Sequence, residues 1–436
     1  MPDALPAPDP VTADLMAFLA KTPSPYHAAV NAATILRDAG FAEVLEADSW
    51  TTMAEGAWFV VRGGAIVAWI SPDGLGPTAP LRIIGAHTDS PNLRIKPRPD
   101  TGPAGWRQLA IEVYGGILNN SWLDRDLGLS GRVVLNDGSV RLVFVDRPLL
   151  RVAQLAVHLD REVNERGLIL DRQSQLTPIW GLGDPESGEF QEWLAAHIDT
   201  VPQSVASWDL MVHDVTPPAL LGRDAEFLAA GRLDNLSSCH AALRAIVDTK
   251  TAADAGTPLS NVAIVALFDH EEVGSGSTTG ASGPLLETVL RRRSMALGGG
   301  EDELARSFSA SVCVSADMAH SVHPNYVDRH EPAHRPIPNA GPVIKVNVSQ
   351  RYASDAVTQS MFRRACVAAD VPFQVFVSRN NQPCGSTIGP LTATRLGIAT
   401  VDVGSAMLSM HSARELMGAH DQDLMVRAQV AFFSQV

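Results

Sequence analysis

The strongest constraint on this chain is a set of apolar runs that stop abruptly at ionisable residues. Val262-Ala263-Ile264-Val265-Ala266-Leu267-Phe268 is followed at once by Asp269, His270, Glu271 and Glu272. Seven apolar residues in a row leave no polar face, so such a strand is covered on both sides, as in an open α/β sheet. LRIIG (81–85), SVCVSA (311–316), VIKVNV (343–348) and IATVDV (398–403) have the same texture, with stretches of helical spacing between them. The pattern predicts an α/β sandwich with substantial parallel pairing. Open sheets of this kind bind ligands beyond the carboxyl ends of their strands. Four ionisable groups placed there are costly to bury without a cation or other partners, so a metal is the economical expectation.

The rest of the chain fills out this frame. Leu15, Phe18 and Leu19, then Ala29, Ala33 and Leu36, predict two opening helices between about Thr12 and Gly40, broken near Pro23 and Pro25. WFVVR (58–62) and AIVAWI (65–70) flank Gly63-Gly64, a pair suited to a tight hairpin. From about Pro97 to Trp208 the texture changes to short β-type runs, LAIEVY, RVVL and VRLVFV, with Asn136-Asp137-Gly138 as a turn. This predicts an inserted β-rich domain over 97–215, dividing a catalytic domain into a first part, 1–96, and a second, 216–436. Helices are expected from near Asn235 (Leu236, Cys239, Leu243, Val247) and from about Asp355 to Ala369. Arg291 to Ser307, with its RRRS, GGG and scattered charges, reads as a surface loop.

Composition narrows the partners. The 34 Lys+Arg against 48 Asp+Glu give a net charge of −14, which disfavours nucleic acid and anionic membranes. Cys239, Cys313, Cys366 and Cys384 lie far apart without a CxxC pair, which predicts reduced thiols rather than a disulfide framework. The N-terminus has no signal-peptide pattern and no 18-residue apolar run occurs, so a cytoplasmic protein is expected. Three N-x-[ST] matches, at Asn119, Asn235 and Asn347, are then chance.

Five polar clusters could carry chemistry, and each has an ordinary structural reading when taken alone. Gly85-Ala86-His87-Thr88-Asp89-Ser90 could hold a loop histidine, and Gly231-Arg232-Leu233-Asp234-Asn235 reads as a helix N-cap. Asp269 to Gly276 concentrates charge after a strand. Ser315 to His320 places Asp317 at another strand end, and Met410-His411-Ser412 follows a third. Together they supply His, Asp, Glu, Asp and His, a ligand set suited to two zinc ions sharing one carboxylate. Competing motifs fail: His270-Glu271 is not followed by the second histidine of HExxH, GSGSTTG lacks the P-loop lysine, and Gly385 to Gly389 is not GxSxG.

GAHTDSPNLRIKP, GRLDNLSSCHAAL, FDHEEVGSGS, SADMAHSVHPNY, GPVIKVNVSQRYASDAV, PCGSTIGP and MLSMHSARE occur in that order. The set resembles the aspartyl aminopeptidase family of cocatalytic dizinc metallo-aminopeptidases. The resemblance implies a zinc-peptidase-like α/β/α catalytic domain with an inserted dimerisation domain. It implies that His87 and Asp317 hold one zinc, Glu272 and His411 the other, and that Asp234 bridges them. Glu271 would be the general base toward a dizinc-activated water, with Asp89 orienting His87 from behind. His158 matches a family histidine near the active site that the neighbouring subunit supplies. Peptides with N-terminal Asp or Glu are the implied substrates. Lys345 is the candidate cation for the acidic side chain, Tyr352 a further hydrogen-bonding group, and Met410 and His320 pocket residues. His270, His330 and His334 are assigned to hydrogen bonding, with His320 and His323 excepted from that assignment. The implied assembly is a homo-oligomer, a tetrahedral dodecamer of dimers. A dizinc carboxypeptidase, an amide deacylase and a catalytically silent scaffold are the alternatives.

Overall fold

The computed structural model describes residues 7–53 and 55–434. Helices Pro10–Lys21 and Pro25–Asp38 open the chain. Asp9 caps the first by accepting from the Val11 and Thr12 amides, and Ser24 caps the second through the His27 amide. Proline at the start of each fits a position that needs no N–H donor.

A mixed nine-stranded sheet forms the main layer. Its middle holds four neighbouring parallel strands, Val262–Phe268, Leu81–His87, Val312–Ala316 and Ala399–Gly404. All seven residues of Val262–Phe268 are buried. Ala263, Val265 and Leu267 point into one core, with helices Leu233–Asp254 and Asp421–Phe433. Val262, Ile264, Ala266 and Phe268 point into the other, with helices Leu285–Ala296 and Ile388–Leu396. Each Val, Leu, Ile or Phe among them contributes about 1.5–3 kcal/mol by leaving water, and each Ala less. The fold class is therefore the expected α/β/α sandwich, and it lines up four carboxyl strand ends in one row.

Strands Asn92–Thr101, Trp106–Tyr114, Leu127–Leu135, Val140–Leu150, Ile179–Leu182 and Val205–Asp214 form a separate antiparallel sheet with its own core. Asn136–Gly138 turns one of its hairpins, with Gly138 at φ +83°. A third, five-stranded sheet pairs Glu415–Gly418 with Phe227–Ala230 and with Ala406–Leu408. The hairpin between Leu408 and Glu415 carries His411 at its tip.

The expected loop from Arg291 to Ser307 is mostly helical instead. Leu285–Ala296 continues through RRRS, and Glu301–Ser309 forms a second helix after the glycine run. Leu285, Leu286, Val289, Leu290 and Arg293 share one buried face, and the Arg293 Nε donates to Ser71 Oγ at 3.1 Å. Arg291 pairs with Glu287 one turn back and with Glu301 across the break. The charges are thus the outer face and the seam of a helix pair, and only the glycines make the turn. The four cysteines are free, three of them buried. Among the described residues no helix is long and apolar enough to cross a membrane.

Candidate active site

The row of strand ends assembles the polar clusters. Leu81–His87 ends on His87, Val262–Phe268 leads into Glu271 and Glu272, and Val312–Ala316 is followed by Asp317. Asp234 stands in the first turn of its helix with non-helical backbone angles, and its side chain caps nothing, so the N-cap reading is set aside. His87, Asp234, Glu271, Glu272, Asp317 and His411 line one cavity of about 340 Å³.

Asp234 faces both histidines. Its Oδ1 lies 3.4 Å from His87 Nε2, and its Oδ2 lies 3.6 Å from His411 Nε2. Asp317 Oδ1 is 3.5 Å from the same His87 nitrogen, and Glu272 Oε2 is 3.3 Å from the same His411 nitrogen. His87, Asp234 and Glu272 offer ligand atoms within 4.8 Å of one another. Each imidazole is oriented through its other nitrogen: His87 Nδ1 donates to the Asp89 carbonyl at 3.1 Å, and His411 Nδ1 to the Gly116 carbonyl at 3.0 Å. That tautomer leaves both Nε2 atoms with a free lone pair, as a metal ligand requires.

The donor set fits a metal. Asp234 Oδ1 and Glu272 Oε1 are buried with no hydrogen-bond partner from the protein, although buried carboxylate oxygens are normally paired. Burial would lower the His87 pKa, but the carboxylates of Asp234, Asp317 and Asp89 around it raise it well above its ordinary value. Burial pushes Glu272 far up, with Asp234 adding to the effect. Glu271 is pushed up to about 8 by burial, opposed by His87 and reinforced by Asp317, Asp234 and Asp89. A cluster that would otherwise gather protons is short of positive charge, and a bound cation supplies it.

Asp89 lies behind His87 and is fully buried. Its carboxylate accepts from the Glu271 and Glu272 amides, both at 3.1 Å, and from the Tyr114 hydroxyl at 2.7 Å. Burial alone would raise its pKa; the hydrogen bond and charge of His87, with Tyr114, hold it low. Lys345 is not an exposed strand lysine: it is 2% exposed and lines the cavity. Its ammonium lies 3.1 Å from the Met318 carbonyl, 3.5 Å from Asp317 Oδ2 and over the Tyr352 ring. Against the pull of burial, Lys345 and His87 hold the Asp317 carboxyl well below the usual carboxylate range. Tyr352, Met410 and His320 also line the cavity. His158 does not reach it within one chain; it sits on an exposed turn of the β-rich insert. Two residues at the site carry no assignment from the sequence, Tyr114 and Glu415. Tyr114 ends an apolar run just before Gly115-Gly116, and Glu415 closes the MLSMHSARE motif.

The carboxyl ends of a parallel sheet, a helix start and a hairpin tip together bring two histidines and an acidic cluster onto one cavity, the arrangement of a metal-dependent hydrolase. The model of the aminopeptidase I zinc metalloprotease family (M18) matches residues 18–433, and the chain belongs to that family. A probable M18 family aminopeptidase 2 of Streptomyces coelicolor is 56% identical over 422 residues, covering 97% of each chain. The protein of the same description from Mycobacterium leprae is 48% identical, covering 97% of this chain and 98% of its own. Among solved structures, one described as the Ape4 and Nbr1 complex matches with a TM-score of 0.92 and 36% identity, over 97% of this chain and 85% of that one. The S. cerevisiae mApe1 dodecamer matches with a TM-score of 0.85 and 26% identity, over 97% and 96%. The protein is a zinc-dependent aminopeptidase.

Proposed function

We propose that this aminopeptidase holds two zinc ions and removes N-terminal Asp or Glu from peptides. The observation that carries the dizinc reading is the pair of Asp234 oxygens, each directed at a different histidine. His87 and Asp317 would hold one ion, His411 and Glu272 the other, with Asp234 between them. Bound zinc supplies Lewis-acid chemistry that lowers the pKa of water and polarises a carbonyl. Glu271 takes a proton from the attacking water at its carboxylate and returns it to the departing amine. Asp89 fixes the His87 ring and, through the amides of Glu271 and Glu272, the loop that carries both glutamates. The substrate amine is anchored beside the acidic cluster, which restricts cleavage to the first peptide bond.

Lys345 supports the acidic preference, because a buried ammonium lining the cavity can form a charge-assisted bond with a substrate carboxylate. The mApe1 dodecamer supports a homo-oligomeric, dodecameric assembly, and His158, exposed within one chain, would serve a neighbouring subunit's site there. Four free thiols fit the reducing cytoplasm.

The test is initial-rate hydrolysis of matched Asp-, Glu- and Leu-amides by the wild type and Lys345→Met. The expected result is Asp and Glu ahead of Leu in the wild type, with the ratio falling at least about tenfold in the variant, as loss of one charge-assisted bond implies. A ratio unchanged by Lys345→Met rejects the pocket assignment, and a wild type that prefers Leu rejects the acidic preference.

A further inference from the structure

We propose that Glu415 is a positioning residue that ties the two halves of the metal centre together through the backbone amides of Asp234 and His411. The proposal rests on the reading of those two residues as metal ligands. Glu415 does not line the metal cavity and is 2% exposed. Its Oε2 accepts from the Asp234 amide at 3.0 Å, and its Oε1 accepts from the His411 amide at 2.7 Å. One carboxyl group therefore grips the shared aspartate and the more exposed histidine from behind.

The surrounding fold explains why such a grip is needed. Asp234 has φ −81° and ψ 104° inside the first turn of its helix, so its amide is not placed by helical bonding. His411 has φ +67°, a left-handed conformation that is uncommon for residues other than glycine. Both ligands thus depend on contacts outside their own segment to hold their angles. Glu415 is the first residue of strand Glu415–Gly418 and stands opposite Ala230, four residues before Asp234, in the adjoining strand. The same strand pairs with Ala406–Leu408, which leads into the His411 hairpin. Glu415 is fixed by a sheet that reaches both ligands and transmits that fixity through two hydrogen bonds.

In Glu415→Gln one carboxyl oxygen becomes an NH2 group that faces an amide N–H instead of accepting from it. Zinc affinity is measured by chelator competition for the wild type, Glu415→Gln, Glu415→Asp and His411→Ala, together with thermal melting of each chelated protein. The expected result is zinc binding weakened about 10–100-fold in Glu415→Gln, the range seen when a group behind a ligand is lost. The chelated variant should melt like the chelated wild type, and KM should move less than kcat. Glu415→Asp, too short to reach both amides, should weaken zinc similarly and carries the test if the glutamine variant does not fold. Wild-type zinc affinity in Glu415→Gln overturns the proposal. An equal fall in melting of the chelated protein also overturns it, because the role is then general to the fold. Wild-type zinc binding by His411→Ala would instead overturn the ligand reading beneath it.

Discussion

The two histidines of the site reach the same aspartate by different routes. His87 ends a central parallel strand, and its side chain is 1% exposed; its ring is oriented by the carbonyl of Asp89, two residues on. His411 stands at a hairpin tip with its side chain 29% exposed. Its ring is held by the carbonyl of Gly116, 295 residues away, and its own carbonyl accepts from the Leu118 amide. Gly116 and Leu118 follow the strand Trp106–Tyr114 of the antiparallel sheet. One half of the site is thus a product of the sandwich core, and the other is completed by the β-rich region. Core burial fixes a side chain locally, whereas an exposed one needs remote anchors.

Replacing each histidine by alanine is the largest test of this contrast. Both variants should lose aminopeptidase activity and zinc, read by amide hydrolysis and metal analysis. Their chelated forms should differ in stability. His87→Ala removes the buried imidazole that Asp89, Asp234 and Asp317 share, leaving only Lys345 beside Asp317, and should cost about 3–5 kcal/mol in urea denaturation. His411→Ala removes a partly exposed ring and should cost about 1 kcal/mol or less. Equal losses would mean that the two halves are supported alike.

The same contrast explains what the sequence made legible. Val262–Phe268 followed by Asp269 to Glu272 announces both a buried strand and a site, because apolar run and polar cluster are adjacent in the chain. Tyr114 and Glu415 gave no such signal. Their roles arise from pairing with Asp89, 25 residues earlier, and Asp234, 181 residues earlier, and local periodicity does not encode such contacts. Arg291 to Ser307 misled for a related reason. Its charges face Glu287 and Glu301 on a helix pair, so a composition that reads as a loop is an ordinary exposed helical face. Lys345 is singled out in the sequence only through the family resemblance, because its burial comes from Asp317, Met318 and Tyr352, which enclose it.

A second test loosens the β-rich region without touching a ligand. His27, on helix Pro25–Asp38, is buried with Nδ1 2.7 Å from Ser24 Oγ. Its ring faces Phe144 of strand Val140–Leu150 at 5.6 Å, and Phe144 faces His213 at the same distance. Burial, with the charge of Arg232, lowers the His27 pKa to about 4. An unfolded imidazole takes up its proton near pH 6.5. Between about pH 6.5 and 4 the unfolded state therefore binds the extra proton, and stability present above that window is lost as pH falls, up to about 3 kcal/mol. His27→Gln should remove its share of this part of the urea-midpoint profile, leaving that of His213, whose pKa burial also lowers. In the wild type, hydrogen exchange at pH 5 should rise in Leu127–Leu150 before it rises in Val262–Phe268. An unaltered profile in the variant would place the acid sensitivity elsewhere.

The smallest expected effect sharpens the comparison most, because one contact crosses the divide. Tyr114 belongs to the antiparallel sheet that completes the His411 half, yet its hydroxyl donates to Asp89 behind His87. Tyr114→Phe keeps the ring and removes only that bond. Asp89 retains the amides of Glu271 and Glu272 as donors, so the loss should be near the lower end for a bond to a charged group, about 1.5 kcal/mol. If Asp89 transmits that loss to the His87 ring and the Glu271 loop, kcat should fall about tenfold with KM and zinc content unchanged. A wild-type kcat would show that the core holds the buried half unaided. A tenfold fall would show that the β-rich region positions both halves, through a carbonyl on one side and a phenol on the other.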